Sequence, residues 1–217
     1  MVYVLLGTGF EEVEAIAPVD LLRRAGIEVK TVGITGKTVY GSHKIGVEAD
    51  ILPEEIDFES LDMIVLPGGL GGVASARASQ AALDALKWAW DNGRFVAAIC
   101  AGPTVLADLG ITDGRNATCY PGCENQMGNA HMAADAAGIC DGRLNTGTSA
   151  GCAVAFGLAL IEALKGEQEA QRIANQIVIR TKRRQSCKII PMSNPSPASW
   201  PGTMAAAAKQ VPTAAAF

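Results

Sequence analysis

Runs that are apolar at every position, rather than at every second one, mark the first hundred residues: Val2 to Leu6, Met63 to Leu66 and Phe95 to Ile99. Unbroken apolarity over so short a span predicts strands buried on both faces, as in a parallel sheet. Each run stops at turn residues: Gly7 and Gly9, Pro67-Gly68-Gly69, and Gly102-Pro103. Glu28 to Gly33 reads as a further strand and Ser42 to Ala49 as an excursion from the sheet. Between the strands, Glu11 to Arg24 is helix-permissive, and Ser79 to Asn92 carries Leu83, Leu86 and Trp90 at helical spacing. Pro103 can open the next helix at its first position. Gly147 to Lys165 predicts a long helix with Phe156, Leu160 and Leu164 on one stripe, and Glu167 to Ile179 a last one. The βαβα alternation predicts an α/β fold: a flavodoxin-like three-layer sandwich with a mainly parallel sheet. Sites in such sheets lie beyond the carboxyl ends of the strands, here the loops after Leu6, Leu66 and Ile99.

Composition narrows the function. Hydrophobic residues make up 49% of the 217 and charged residues 18%, which excludes disorder for most of the chain. A net charge of −4 offers no general attraction to phosphate backbones or anionic lipid, so neither nucleic acid nor a membrane is an expected partner. The most apolar stretch, Phe95 to Ala107, is broken by Gly102 and Pro103 and is too short for a span. The N-terminus reads as a strand without a basic leader, and six cysteines without a CxxC pair suggest free thiols; a cytoplasmic location is expected. Composition shifts after Arg180. Residues 181–217 hold five of the ten prolines, five basic residues and no acidic one, which predicts a domain over 1–180 followed by a disordered, basic Pro/Ala-rich tail.

The chemistry concentrates in Ala97-Ala98-Ile99-Cys100-Ala101-Gly102-Pro103, where a cysteine occupies the turn between a buried strand and a helix. Backbone N–H groups and the positive helix end there favour a thiolate, in the manner of a nucleophile elbow, and predict a depressed Cys100 pKa. Position alone leaves a second reading open, a small buried hydrophobe. Glu14 lies in the first helix on the face continued by Pro18 and Leu21. Pro18 cannot donate to the Glu14 carbonyl, which predicts a kink. A carboxyl in an apolar pocket stays protonated near neutral pH and can donate to a thiolate. Equally, Glu11, Glu12 and Glu14 fit an ordinary acidic helix start.

Four segments in order, Gly9-Phe10-Glu11-Glu12-Val13-Glu14, Pro18 to Ile27, Val65-Leu66-Pro67-Gly68-Gly69 and Ala97 to Pro103, resemble the ThiJ/PfpI superfamily, in the branch of Parkinson disease protein seven (DJ-one). The resemblance covers roughly residues 1–180. It implies a class I glutamine amidotransferase-like fold and a homodimer. It further implies Cys100 as the reactive thiolate, Glu14 as its protonated partner, and Gly68, Gly69 and Ala101 as the oxyanion-binding backbone. His131 matches a histidine that animal members carry near the cysteine, and His43 an arginine that crosses the dimer interface. One departure stands out. The family's Arg-Gly-Pro-Gly turn is replaced by Thr148-Ser149-Ala150-Gly151, so the arginine and the proline are lost.

Ala101 occupies the place of the histidine that follows the cysteine in the peptidase-like branch, which disfavours a Cys-His protease. The late His/Glu pair of amidotransferases is not visible. Cys119, Cys123, His131 and Cys140 do not have a zinc-site spacing, and the cysteines read as buried thiols. The expectation is a cofactor-independent, metal-free cysteine enzyme acting on small α-oxoaldehydes such as methylglyoxal (glyoxalase III type) or on their early adducts (deglycase type). A stress sensor or chaperone in which Cys100 is oxidised is the alternative.

Overall fold

The computed structural model describes residues 1–133 and 136–179. The expected tail, 181–217, lies outside the described residues. Five strands run parallel in the order β2 (Val29–Gly33), β1 (Val2–Leu6), β5 (Met63–Leu66), β6 (Phe95–Ile99) and β10 (Leu144–Gly147), and β9 (Gly138–Asp141) adds an antiparallel edge. The sheet is therefore mainly parallel, as its unbroken apolar runs require.

Alternation along each strand feeds two apolar layers. Tyr3, Leu5, Ile64, Leu66, Val96 and Ala98 point to one face, which is covered by α2 (Leu70–Ala78), α3 (Gln80–Asp91) and α4 (Pro103–Asp108). Val2, Val4, Leu6, Met63, Val65, Ala97 and Ile99 point to the other, under α1 (Glu12–Arg24), α5 (Ala153–Lys165) and α6 (Glu167–Gln176). This is the three-layer α/β sandwich. Within α3 the buried stripe is Ala82, Ala85, Leu86 and Ala89, while Leu83 and Trp90 flank it. Trp90 is instead stacked by the guanidinium groups of Arg115 and Arg143, at 4.7 and 4.6 Å from its ring centre.

Several boundaries differ from expectation. The Ser42 to Ala49 excursion is part of a hairpin, β3 (Thr38–Tyr40) and β4 (Gly46–Glu48), whose Tyr40 carbonyl accepts from Gly9 N–H at 2.7 Å. Gly147 ends β10 rather than opening a helix; a short turn follows and α5 starts at Ala153. The segment 116–132 holds a two-stranded pairing of β7 (Asn116–Ala117) with β8 (His131–Met132). Helix α1 runs on through Pro18 to Arg24.

Close packing of α5 on α1 depends on Gly157. A Cβ built there would lie 3.1 Å from Pro18 Cα and 2.7 Å from Leu21 Cδ1. Gly157→Val should therefore push the two helices apart and cost about 1–3 kcal/mol of stability, read as a lower urea midpoint with an unchanged slope.

Candidate active site

The carboxyl ends of β1, β5 and β6 converge where the sequence places its candidates. Cys100 follows β6 with φ +64°, a region that non-glycine residues rarely enter, and its half-buried side chain is thereby raised out of the sheet. Two backbone bonds hold it there: Cys100 N–H donates to Gly147 at 2.9 Å, and its carbonyl accepts from Tyr120 N–H at 2.8 Å. This is the strained strand-to-helix turn of a nucleophile elbow.

Glu14 reaches the same point from α1. The helix begins there because Glu11 caps it, its Oε2 accepting Glu14 N–H at 2.7 Å. The Glu14 side chain is 1% exposed. Its Oε2 accepts from Gly68 N–H at 3.0 Å and its carboxyl from Ala150 N–H, while carboxyl and Cys100 sulfur share one further hydrogen bond. Gly69 and Ala101 N–H groups also donate to the sulfur. Gly68 permits the approach: a Cβ on it would lie 2.5 Å from Glu14 Oε2 and 2.6 Å from Cys100 Cβ. The structure thus brings Cys100, Glu14, Gly68, Gly69 and Ala101 together.

The electrostatics correct one expectation. Burial, opposed by the hydrogen bonds and reinforced by the Glu11 charge, pushes the Glu14 carboxyl up to about 7. Burial first, and then the Glu14 charge, push the Cys100 thiol up to about 12 rather than down. The helix that was expected to lower it is only six residues long and starts at Pro103, so the favourable N–H groups of Gly69 and Ala101 act alone and are outweighed. With Glu14 raised to about 7 and Cys100 to about 12, the proton between them rests on the sulfur above about pH 7. A thiolate arises here when that proton sits on Glu14.

Beside the sulfur lies a cavity of about 240 Å³ lined by Glu11, Gly69, Leu70, Cys100, Ala101, Tyr120 and Cys123. Tyr120, Leu70 and Cys123 carry no sequence signal for this role; only the bond from Tyr120 N–H to Cys100, invisible in one dimension, brings their loop over the site. His131 does not reach the cavity. It is exposed on β8, its N–H donates to Arg115 at 2.8 Å, and its side chain neighbours Asp141. His43 is seated against its own chain. Its N–H donates to Glu12 Oε1 at 2.7 Å, and its Nδ1 lies 2.9 Å from Glu12 Oε2. That partner raises the His43 pKa, while the same bonds overcome burial to hold Glu12 down at about 2. Thr148 and Ala150 replace the missing turn. The Thr148 hydroxyl donates to the Ala136 carbonyl and lies 3.3 Å from that of Thr118, and Ala150 supplies the N–H to Glu14.

The raised Glu14 pKa makes stability depend on pH with a definite sign. Between the ordinary carboxyl value of 4.5 and about 7 the folded chain holds more protons than the unfolded one, so this group's contribution falls as pH rises through that window. Glu14→Gln removes the fall. Urea unfolding at pH 5 and pH 8 should show the variant gaining roughly 2–3 kcal/mol relative to the parent at the higher pH. Equal shifts at both values would show that Glu14 is ionised throughout.

Residues 1–163 match the DJ-1/PfpI family. Protein dj-1beta of Drosophila melanogaster is 36% identical over 178 residues, covering 81% of this chain and 95% of that one. The Parkinson disease protein 7 homolog of Danio rerio is 34% identical over 181 residues, 82% and 96% of the two chains. A deglycase of Pyrococcus abyssi is 34% identical over 142 residues, 65% and 85%. Among solved structures, Drosophila DJ-1beta superposes with a TM-score of 0.79 at 35% identity, covering 83% of this chain and 98% of its own. Toxoplasma gondii DJ-1, oxidized, gives 0.78 at 32% identity, with the same coverage. With the family model matching residues 1–163 and relatives 34–36% identical over most of its length, the chain belongs to the DJ-1/PfpI family.

Proposed function

We propose that the protein is a cofactor-independent cysteine enzyme acting on small α-oxoaldehydes or their early adducts. The observation that carries this reading is Cys100 on its positive-φ elbow, with the buried Glu14 carboxyl beside it, at a cavity of about 240 Å³. With the proton on Glu14, the thiolate attacks the aldehyde carbon of methylglyoxal. Gly69 and Ala101 N–H groups bind the resulting oxyanion, and Glu14 protonates it to a hemithioacetal. The Glu14 carboxylate then removes the C1 hydrogen, giving an enediol, and returns the proton to C2. The product is a lactate thioester, which water hydrolyses to lactate and the free thiolate. The sum is methylglyoxal plus water giving lactate and a proton, with a second proton from the hydrolysis restoring Glu14 and no external oxidant or reductant. In deglycation the thiolate forms the C1–S bond of the same hemithioacetal while the C1–N bond of a hemiaminal adduct breaks, the amine leaving with the proton from Glu14. The deglycase name of the Pyrococcus relative supports the class of chemistry.

The sensor reading has its own support, since the donors that bind an oxyanion would equally bind a sulfinate. There, two hydroperoxide equivalents convert the Cys100 thiol to the sulfinic acid and release two alcohols or waters. Kinetics separate the two. Methylglyoxal should be converted to lactate over many turnovers without glutathione, and Cys100→Ser and Glu14→Gln should each lower kcat/KM by about 10²- to 10⁴-fold. His131→Ala should stay near the parent rate, as its side chain lies away from the cavity. Turnover that persists in Cys100→Ser overturns the covalent mechanism.

We also propose a homodimer formed through α1 and the hairpin. Val13 and Ile16 are 51% and 41% exposed one turn apart on α1, and Tyr40 and Ile45 are each 57% exposed on the adjoining hairpin. His43 lies between the two hairpin residues and would reach the partner from there. Light scattering should give a dimer at micromolar concentration, and Ile16→Asp should reduce it to a monomer.

A further inference from the structure

Asn145 is the one residue of the sheet interior whose polarity the described structure leaves unanswered. It sits in β10, with Ala97 of β6 on one side and Cys140 of β9 on the other. Ala97 belongs to the apolar layer beneath α1 and α5, so the Asn145 side chain faces that layer too. It is 1% exposed, and neither Oδ1 nor Nδ2 has a hydrogen-bond partner among the described residues. Its neighbour Thr146, on the opposite face, is satisfied: its hydroxyl accepts from Thr118 N–H at 2.9 Å. A buried carboxamide with both ends unmade costs on the order of 1–3 kcal/mol per group, which makes it unusual in a sheet interior.

The side chain borders a cavity of about 190 Å³ between the β9–β10 edge and α5. Its walls are otherwise mostly apolar, formed by Ile139, Ala155, Phe156 and Ala159, with the exposed Cys140 at the rim. No lining residue is shared with the cavity beside Cys100.

We propose that this cavity is a second binding site, for a small neutral amide such as a lactam, carboxamide or ureide. A primary carboxamide offers a donor and an acceptor side by side, and its complement is another amide edge, which closes two hydrogen bonds at once. The mostly apolar walls take a short aliphatic or ring body. An anionic ligand is disfavoured, because the Glu162 carboxylate already imposes negative charge on the neighbouring Cys140 thiol. The volume, equal to roughly six waters at about 30 Å³ each, limits the ligand to a single small ring or a short chain.

The test uses the full chain labelled with ¹⁵N and two ring probes of the same size, 2-pyrrolidinone and cyclopentanone. The side-chain NH₂ pair of Asn145 is identified by its loss in Asn145→Leu. Pyrrolidinone should shift that pair, together with the backbone amides of Cys140 and Phe156, in a saturable way. Cyclopentanone, which accepts but cannot donate, should bind about tenfold more weakly. Asn145→Leu should abolish the saturable shifts. Ala159→Leu, which fills the cavity from the helix side and keeps Asn145, should do the same, so that misfolding of one variant leaves the result readable. Equal affinity for the two probes, shifts that survive in either variant, or no saturable shift at 50 mM probe (about the weakest affinity worth calling a site), as waters alone in the cavity would give, overturns the proposal.

Discussion

One buried space holds a carboxyl and a thiol and accommodates a single negative charge between them. The rest of the site follows from that constraint. Glu14 is 1% exposed and bonded to Gly68 and Ala150 N–H groups, and the Cys100 sulfur is its side-chain partner for the proton. Cys100 keeps the positive φ of its elbow because the carbonyl of Gly147 and the N–H of Tyr120 grip it from both sides. Gly68 must lack a Cβ because those two side chains already occupy the place where one would be. Glu11 caps α1 and thereby fixes where Glu14 points, and its charge adds to the pressure that keeps Glu14 protonated. A depressed thiol pKa, the feature the sequence suggested, is replaced by a shared proton. The thiolate is a property of the pair and not of the cysteine.

What the sequence made legible is what burial on both faces forces. The runs Val2–Leu6, Met63–Leu66 and Phe95–Ile99 could be read without periodicity, since each is apolar at every position and stops at turn residues. Helix α2 was illegible for the opposite reason. The sequence pattern assigns no element to Leu70–Ala78, where a Cβ at Gly72 would lie 2.7 Å from Phe10 Cα, so the glycine marks a helix pressed against the first loop. Gly147 misled in the same way: placed before an apolar helical pattern it looks like a start, but it ends a strand whose backbone carbonyl positions Cys100. His131 illustrates the limit of counting along a family pattern. Residue number places it where a catalytic histidine is expected, while β8 pairing with Asn116 turns it away from the cavity. Cys100, Glu14 and the three backbone donors were recoverable because each depends on a local motif of a few residues; Tyr120 and Cys123 depend on a long-range contact that no motif encodes.

The loss of the arginine and proline near residue 148 shows how a turn can change its chemistry and keep its task. The Thr148 hydroxyl is tied to Ala136 and Thr118, and its N–H donates to Ala137, so the wall is held by short neutral bonds rather than by a long cation. The one element that the active pair needs from this segment, the N–H of Ala150, is a backbone group and survives any side-chain change that keeps the turn. The departure therefore bears on how this turn is held and leaves it without an arginine, and does not bear on the N–H that Ala150 offers to Glu14.

That absence of charge has a consequence for what the cavity can accept. Among the described residues its lining includes no lysine or arginine, and it includes Glu11. The pair beside it carries one negative charge above about pH 7. An anionic substrate would meet two like charges without a fixed counter-cation, at a cost that the low dielectric of a half-enclosed site increases. An uncharged electrophile meets no such penalty, and it acquires its negative charge only after the sulfur has attacked. In the proposed reaction the charge then leaves the sulfur for an oxygen that the Gly69 and Ala101 N–H groups would bind. Throughout that proposed reaction the net charge in the buried space never exceeds one, so the constraint that raises both pKa values favours a neutral over an anionic carbonyl compound.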